Sequence, residues 1–268
     1  MVDTKIEWAE KSWNPYTGCS KISEGCLNCY AERMARRLAG RYGYPKESPF
    51  QVTWHPERLI EPFKWRKSRR IFVCSMGDLF HYFVTEQGQQ IVMNTIFGCP
   101  HHIFMCLTKR PENAWLYFKN NPIPKNLWFG VSVENQKRAD DRIPILLQIP
   151  AKVRFVSIEP MLGPVDLGQY LYPYKTLVNG KSLGSKLHWV ILGGETGPGA
   201  RPRHPDWPRK VRDDCQEAGV PFFFKRWGDC PYPQNTDISD WVDAGYDPYD
   251  KKAGGRLLDG RLWEQWPE

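Results

Sequence analysis

The stretch LWFGVSVENQKRADDRIPILLQIPAKVRFVSIEP, Leu127–Pro160, decides the fold class. It opens with an unbroken apolar run, Leu127–Val133, passes through a helix-like segment, ADDRIPILLQI, and closes on a second apolar run, Arg154–Ile158. Continuous rather than alternating apolar runs are what parallel strands buried on both faces require. A strand, a helix and a parallel strand make one crossover unit. The same grammar extends both ways along the chain. Strands are expected around Trp13–Thr17, at Ile71–Ser75 and at Ile103–Thr108, with an amphipathic helix from about Pro111, and again at Trp189–Leu192 and Phe222–Lys225. Strands at this spacing in 268 residues predict an α/β protein with a complete or partial (β/α) TIM-like barrel over residues 1–228. A doubly wound open sheet is the alternative. Residues 229–268, rich in Gly, Pro, Asp and aromatics, read as an irregular C-terminal extension packed on the barrel. The irregular insert Gly163–Lys186 is a candidate lid or substrate loop.

The strand ends carry the chemistry. They read Ser75-Met76-Gly77-Asp78, Thr108-Lys109-Arg110, Ser132-Val133-Glu134-Asn135, Ser157-Ile158-Glu159-Pro160, Gly193-Gly194-Glu195-Thr196 and Lys225-Arg226-Trp227. In a barrel those ends form one rim, where barrel enzymes place their active sites. The cations Lys109, Arg110, Lys225 and Arg226 are candidate substrate contacts, and each carboxylate either meets a ligand or pairs with a cation such as Arg110 or Lys109.

Upstream of the second strand lies TGCSKISEGCLNCYAERMARRLAG, with Cys19, Cys26 and Cys29 in a C-x6-C-x2-C spacing on one loop. Three soft ligands on a glycine-bearing loop suit an iron–sulfur cluster or a zinc ion. A [4Fe–4S] cluster held by three cysteines keeps one iron open to a reacting ligand. Structural zinc sites bring a second cysteine or histidine pair; here only His55, in WHPERL, is available to complete a Cys3His set. The remaining cysteines, Cys74, Cys99, Cys106, Cys215 and Cys230, scatter and read as small buried hydrophobes.

Composition bounds the setting. No segment approaches the ~20 apolar residues that span a bilayer, and the N-terminus MVDTKIEWAEKSWN lacks a signal-type apolar stretch. A clustered trio of cysteines fits a reducing, cytoplasmic location better than a disulfide framework. The net charge of +7 favours polyanionic partners. The basic segments Arg33–Arg41, Lys64–Arg70 and Arg201–Arg209 could neutralise phosphates, and Trp54, Trp65, Trp207 and Trp227 within or beside them could stack bases.

The runs WNPYTGCSKISEGCLNCYAERMA, TWHPERLIEPFKWRKSRRIFVCSMGDLFH, LTKRPENA, WFGVSVENQKRADDRIPILL, VRFVSIEPMLGPVDL, HWVILGGETGPGARPRHPDW and CQEAGVPFFFKRWG together resemble one family. It is a three-cysteine family of unknown function carried by phages and bacteria, a variant branch similar to the radical S-adenosylmethionine (SAM) enzymes. Those enzymes usually space their cysteines C-x3-C-x2-C, with an aromatic residue before the last; here the first gap is longer, Asn28 occupies that place and Tyr30 follows the last cysteine. The resemblance implies that Cys19, Cys26 and Cys29 ligate three irons of a [4Fe–4S] cluster and that SAM chelates the fourth. It places Ser75, Gly77 and Asp78 at the SAM amine, Ser132 and Glu134 at the ribose or carboxylate, and Glu159, Gly194 and Glu195 at the adenosyl group or substrate. It also implies a low-potential electron donor of flavodoxin or ferredoxin type, and the basic segments make a nucleobase or nucleic acid the leading substrate. Two other classes stay open: a zinc- or cluster-stabilised nucleic-acid-binding protein without turnover, and a hydrolase using Glu134, Glu159 and Glu195 as acid and base.

Overall fold

The computed structural model describes residues 4–173, 177–178, 181–182, 185–229, 238–247 and 255–268. Seven strands carry the fold: β1 (Lys11–Trp13), β2 (Arg70–Val73), β3 (Ile103–Thr108), β4 (Leu127–Val133), β5 (Val153–Ile158), β6 (Trp189–Gly193) and β7 (Phe222–Arg226). Between them run the helices α1 (Tyr30–Arg37), α2 (Glu86–Phe97), α3 (Pro111–Asn120), α4 (Gln136–Leu146) and α5 (Asp206–Glu217). Strand order follows chain order throughout. A doubly wound sheet would reverse its order at a switch point, so that alternative falls. Seven strands, one short of the closed eight, make this the partial form of the (β/α) barrel.

The chain forms two compact units. The first comprises residues 1–23, 29–131 and 149–152. In it β1, β2, β3 and the first part of β4 pair in parallel, with Val73 opposite Cys106 and Cys106 opposite Phe129. Trp13, Ile71, Val73, Phe104 and Phe129 are fully buried, each apolar side chain contributing about 1.5–3 kcal/mol relative to exposure. Phe80 meets Phe118 and Phe129 at 5.6 and 5.4 Å between ring centroids, holding the loop after β2 against α3.

The second unit comprises residues 24–28, 132–148 and 153–268. Its strands β5, β6 and β7 are parallel, with Val156 opposite Val190 and Val190 opposite Phe222. The outer edge of β7 is covered by the C-terminal residues. Phe224 N donates to Trp263 O at 2.8 Å, and Gln265 N donates to Phe222 O at 3.1 Å. Such cover removes an exposed edge. Parts of the extension (230–237 and 248–254, Cys230 among them) and of the 163–186 insert (174–176, 179–180 and 183–184) lie outside the described residues.

Two boundaries differ from the sequence reading. The first strand ends at Trp13, and Tyr16–Thr17 instead pairs antiparallel with Thr53–Trp54. Pro15 stands between them with no N–H to give, while the Asn14 side chain accepts from Met76 N at 2.9 Å. Helix α4 begins at Gln136, three residues before its apolar pattern, because the Asn135 side chain caps it by accepting from Arg138 N at 3.1 Å.

Candidate functional site

In the first unit the cysteine loop leaves the sheet across two glycines. Gly18 has φ +87°, and a Cβ there would lie 2.0 Å from Gln51 O; a Cβ on Gly77 would lie 2.8 Å from Gly18 O. Only glycine lets these backbones touch. Gly18 N then donates to Met76 O at 2.8 Å, and Cys19 N to Phe50 O at 3.1 Å, which fixes where the first thiol starts.

Asp78, at the end of β2, is buried, as are Thr108 and Arg110 at the end of β3. Its carboxylate accepts from Phe80 N and Thr108 Oγ1 at 2.9 Å, from Lys109 N at 3.2 Å and from Arg110 Nη1 at 2.9 Å. Arg110 continues outward. Nη1 also reaches Cys19 Sγ at 3.4 Å, and Nη2 reaches Ser20 O at 2.9 Å and Ser20 Oγ at 3.1 Å. Burial works against the guanidinium's charge, but Asp78 and Cys19 outweigh it and raise its pKa further. On the far side His81 Nδ1 accepts from Phe83 N at 3.2 Å. Its proton therefore sits on Nε2, which donates to Ser20 Oγ at 2.8 Å. Burial lowers the His81 pKa and favours that neutral form. Ser75 lies just upstream, its Oγ 3.3 Å from Asn14 Oδ1, and Tyr30 Oη donates to Ser75 O at 2.7 Å.

In the second unit the segment carrying Cys26 is held at both ends. Glu24 accepts from Arg138 Nη2 at 2.9 Å and from Asn135 Nδ2 at 2.5 Å. The Arg138 hydrogen bonds hold the Glu24 carboxyl down at about 2. Asn28 Nδ2 donates to Glu195 Oε2 at 3.1 Å and to Gly199 O at 2.7 Å. Gly25 sits directly on Glu134: a Cβ there would lie 2.3 Å from Glu134 Cγ. Glu134 is fully buried and accepts from Arg142 Nη1 at 3.1 Å, while Ser132 O accepts from the same nitrogen at 2.7 Å. Glu195 also takes Arg201 Nη2 at 2.6 Å and Nε at 2.8 Å. Burial pushes its carboxyl up, but these hydrogen bonds win and hold it below the usual range. Glu159 pairs with Lys225. Gly194 is demanded by Arg203, whose Nη1 would lie 1.5 Å from a Cβ, and Arg203 Nη2 donates to Arg226 O at 3.2 Å.

The three carboxylates of the hydrolase reading are thus each bound to a cation: Arg142, Lys225 and Arg201. His55, the histidine available to complete a Cys3His set, has a hydrogen-bond partner of its own. Its Nε2 is 2.8 Å from Thr17 Oγ1, it is 2% exposed, and burial lowers its pKa to about 4.

Cys19, Cys26 and Cys29 are half-buried and in no disulfide, whereas Cys74, Cys99, Cys106 and Cys215 are buried. Burial pushes all four buried thiols up, Cys74 to about 12. Cys29 stands at the start of α1, where Arg33 N donates to its carbonyl at 3.2 Å. Among the described residues no group of three or more His, Cys, Asp or Glu side chains stands close enough to hold a metal ion. What fits a cluster is the donor chemistry: three soft thiols on one loop, outside any disulfide, with a guanidinium donating to one of them.

Of the residues singled out in the sequence, the structure joins Asp78, Arg110 and Cys19 in one network and ties Glu195 to the cysteine loop through Asn28. Trp227 is fully buried. The Lys64–Arg70 run leads into the N-terminal end of β2, away from the strand end that carries Asp78, and there Arg69 donates to Glu10 at 3.0 Å. Ser20, Glu24, His81, Arg138 and Arg142 were not singled out by sequence, and Arg201 only as part of a basic segment. Their only signal is polarity inside or beside the motifs.

A family model described as a protein of unknown function, DUF5131, matches residues 3–267. No curated protein matches the chain. Among solved structures, a spore photoproduct lyase bearing a cysteine-to-serine mutation is similar at a TM-score of 0.45 and 13% identity, over 72% of this chain and 58% of its own. A spore photoproduct lyase complexed with a dinucleoside spore photoproduct is similar at 0.45 and 12%, over 96% of this chain and 70% of its own. The chain therefore covers less than two thirds of the first of these proteins.

Proposed function

We propose that this chain, which belongs to the DUF5131 family, is a radical SAM-type iron–sulfur enzyme that modifies or repairs a nucleobase or nucleic acid. One observation carries the reading: the three thiols of a single loop are half-buried and in no disulfide while the other described cysteines are buried. Cys19, Cys26 and Cys29 are the residues that would hold a [4Fe–4S] cluster. With SAM, such a cluster supplies a 5′-deoxyadenosyl radical able to take hydrogen from an unactivated C–H bond. The protein's own part is orientation and the exclusion of water. Glu24 and Asn28 fasten the segment on either side of Cys26, and Arg110 holds Cys19. Asp78 is saturated by Arg110, Thr108 and backbone amides, so its part is to aim Arg110.

Nucleic acid is the substrate class favoured by the +7 charge and by the cations Arg33–Arg41. Arg33, Arg36 and Arg37 lie on α1, directly after the cysteine loop, and Arg41 lies just past its end; Arg201, Arg203 and Arg209 are instead ion-paired or buried. The test is anaerobic purification with iron and sulfide analysis. About four irons and four sulfides per chain, with absorbance near 400 nm lost in Cys26→Ala, are expected of the cluster. Release of 5′-deoxyadenosine from SAM, also lost in Cys26→Ala, is expected of turnover. A colourless protein holding one zinc refutes the reading.

A further inference from the structure

Arg110 is placed to do more than balance Asp78. Its base is fixed, since Arg110 N donates to Thr108 Oγ1 at 2.9 Å and that hydroxyl is bound to Asp78 Oδ1 at 2.9 Å. Its head spans three acceptors, Asp78 Oδ2, Cys19 Sγ and the Ser20 carbonyl, at 2.9, 3.4 and 2.9 Å. A planar guanidinium delivers donors along such diverging directions at once, whereas a lysine ammonium is a single flexible point charge. Ser20 Oγ is held from the other side by His81 Nε2 at 2.8 Å. The residue after Cys19 is therefore clamped between two donors, which fixes the backbone next to Cys19, while Arg110 Nη1 holds the sulfur itself. Asp78 and Arg110 are 5% and 7% exposed, and hydrogen bonds to ligand sulfur in such shielded places raise the potential of the cluster they ligate.

We propose that Arg110 is the positioning residue of Cys19: aimed by Asp78, it holds the sulfur by an N–H···S hydrogen bond and eases one-electron reduction of the cluster carried there. The inference rests on the cluster assigned above. It accounts for a cation buried at a strand end, where a substrate contact would need to be open, and for a buried carboxylate that pairs with it.

The test is a spectroelectrochemical titration of the iron-loaded protein with a mediator, comparing wild type with Arg110→Met and Arg110→Lys. Removing the hydrogen bond lowers the reduced fraction at a fixed electrode potential about tenfold, equivalent to about 59 mV for one electron. Arg110→Lys, which keeps the charge beside Asp78 but not the fork, shifts in the same direction by less. Folded variants with full iron content and the wild-type potential overturn the inference while leaving the cluster assignment standing. Loss of iron from both variants, with circular dichroism and melting unchanged, supports the positioning role directly. Wild-type protein that binds no iron refutes the cluster, and this inference with it.

Discussion

Replacing Gly25 by alanine tests whether the segment carrying Cys26 is built onto the second unit or merely rests there. A Cβ at position 25 would stand 2.3 Å from Glu134 Cγ and 2.4 Å from Glu134 Oε1, more than an ångström inside an ordinary contact. Glu134 has no room to retreat: it is fully buried and bound to Arg142, itself 4% exposed. The strain has to be relieved by lifting residues 24–28, at a cost of about 2 kcal/mol, within the range for overpacking. Two kilocalories correspond to roughly a 30-fold rise in the opening equilibrium of the segment. The Leu27 amide, which donates to Glu24 O at 3.3 Å, reports on it. Hydrogen exchange at Leu27, followed by mass spectrometry on peptides spanning the loop, is expected to accelerate about 30-fold. Exchange within threefold of wild type, with an unchanged melting temperature, would show that Glu134 yields freely and that the clamp is not a clamp.

Three further outcomes are expected. Asp78→Ala strips the carboxylate from buried Arg110 and should cost about 3–5 kcal/mol in urea unfolding, whereas Asp78→Leu combined with Arg110→Met should recover most of it; equal losses in both would remove the ion pair as the cause. His55 has a folded pKa of about 4 against an ordinary 6.5, so protons favour the unfolded chain and stability falls as pH drops below 6.5. The loss from this one group is about 2 kcal/mol at pH 5, and the gap between pH 7 and pH 5 stabilities should shrink accordingly in His55→Gln. Arg203, 3% exposed, stacks on Trp227 at 5.0 Å and has no carboxylate among the described residues. Arg203→Met should change the melting midpoint little or raise it, while Arg142→Met, which takes the cation from Glu134, should lower it steeply; the reverse order would refute the assignment of costs.

The strands were legible because β3 and β4 are largely apolar runs that end where the first charged residue follows, and β6 and β7 open on unbroken apolar stretches. β1 was not, because three residues carry little pattern and Pro15 ends the pairing that the following apolar residues invite. The start of α4 was hidden for a related reason: a cap is one side chain, not a periodicity. At the site, residue types at strand ends were readable and their partners were not. Arg110 lies 32 residues from Asp78, and Arg138 lies 114 from Glu24; such pairings arise from register and crossover geometry rather than from local sequence. The sequence weighed Asp78 both as a ligand contact and as a partner of Arg110, and only the observed burial and hydrogen bonds give the second its weight. Basic runs looked equivalent in one dimension, yet Lys64–Arg70 enters β2 from its N-terminal end.

Under the nucleic-acid reading proposed above, that placement bears on how long a substrate must be. Lys64, Arg66 and Lys67 are exposed, and the four residues of β2, roughly 13 Å at about 3.3 Å per residue, separate their end of that strand from the end that leads to Asp78. A single nucleotide at the rim cannot touch them; a chain of several nucleotides can. Neutralising those three cations should leave the affinity for a dinucleotide intact and flatten the salt dependence only for longer strands. The oligonucleotide length at which the two behaviours part would then measure how far the bound polymer travels over the protein.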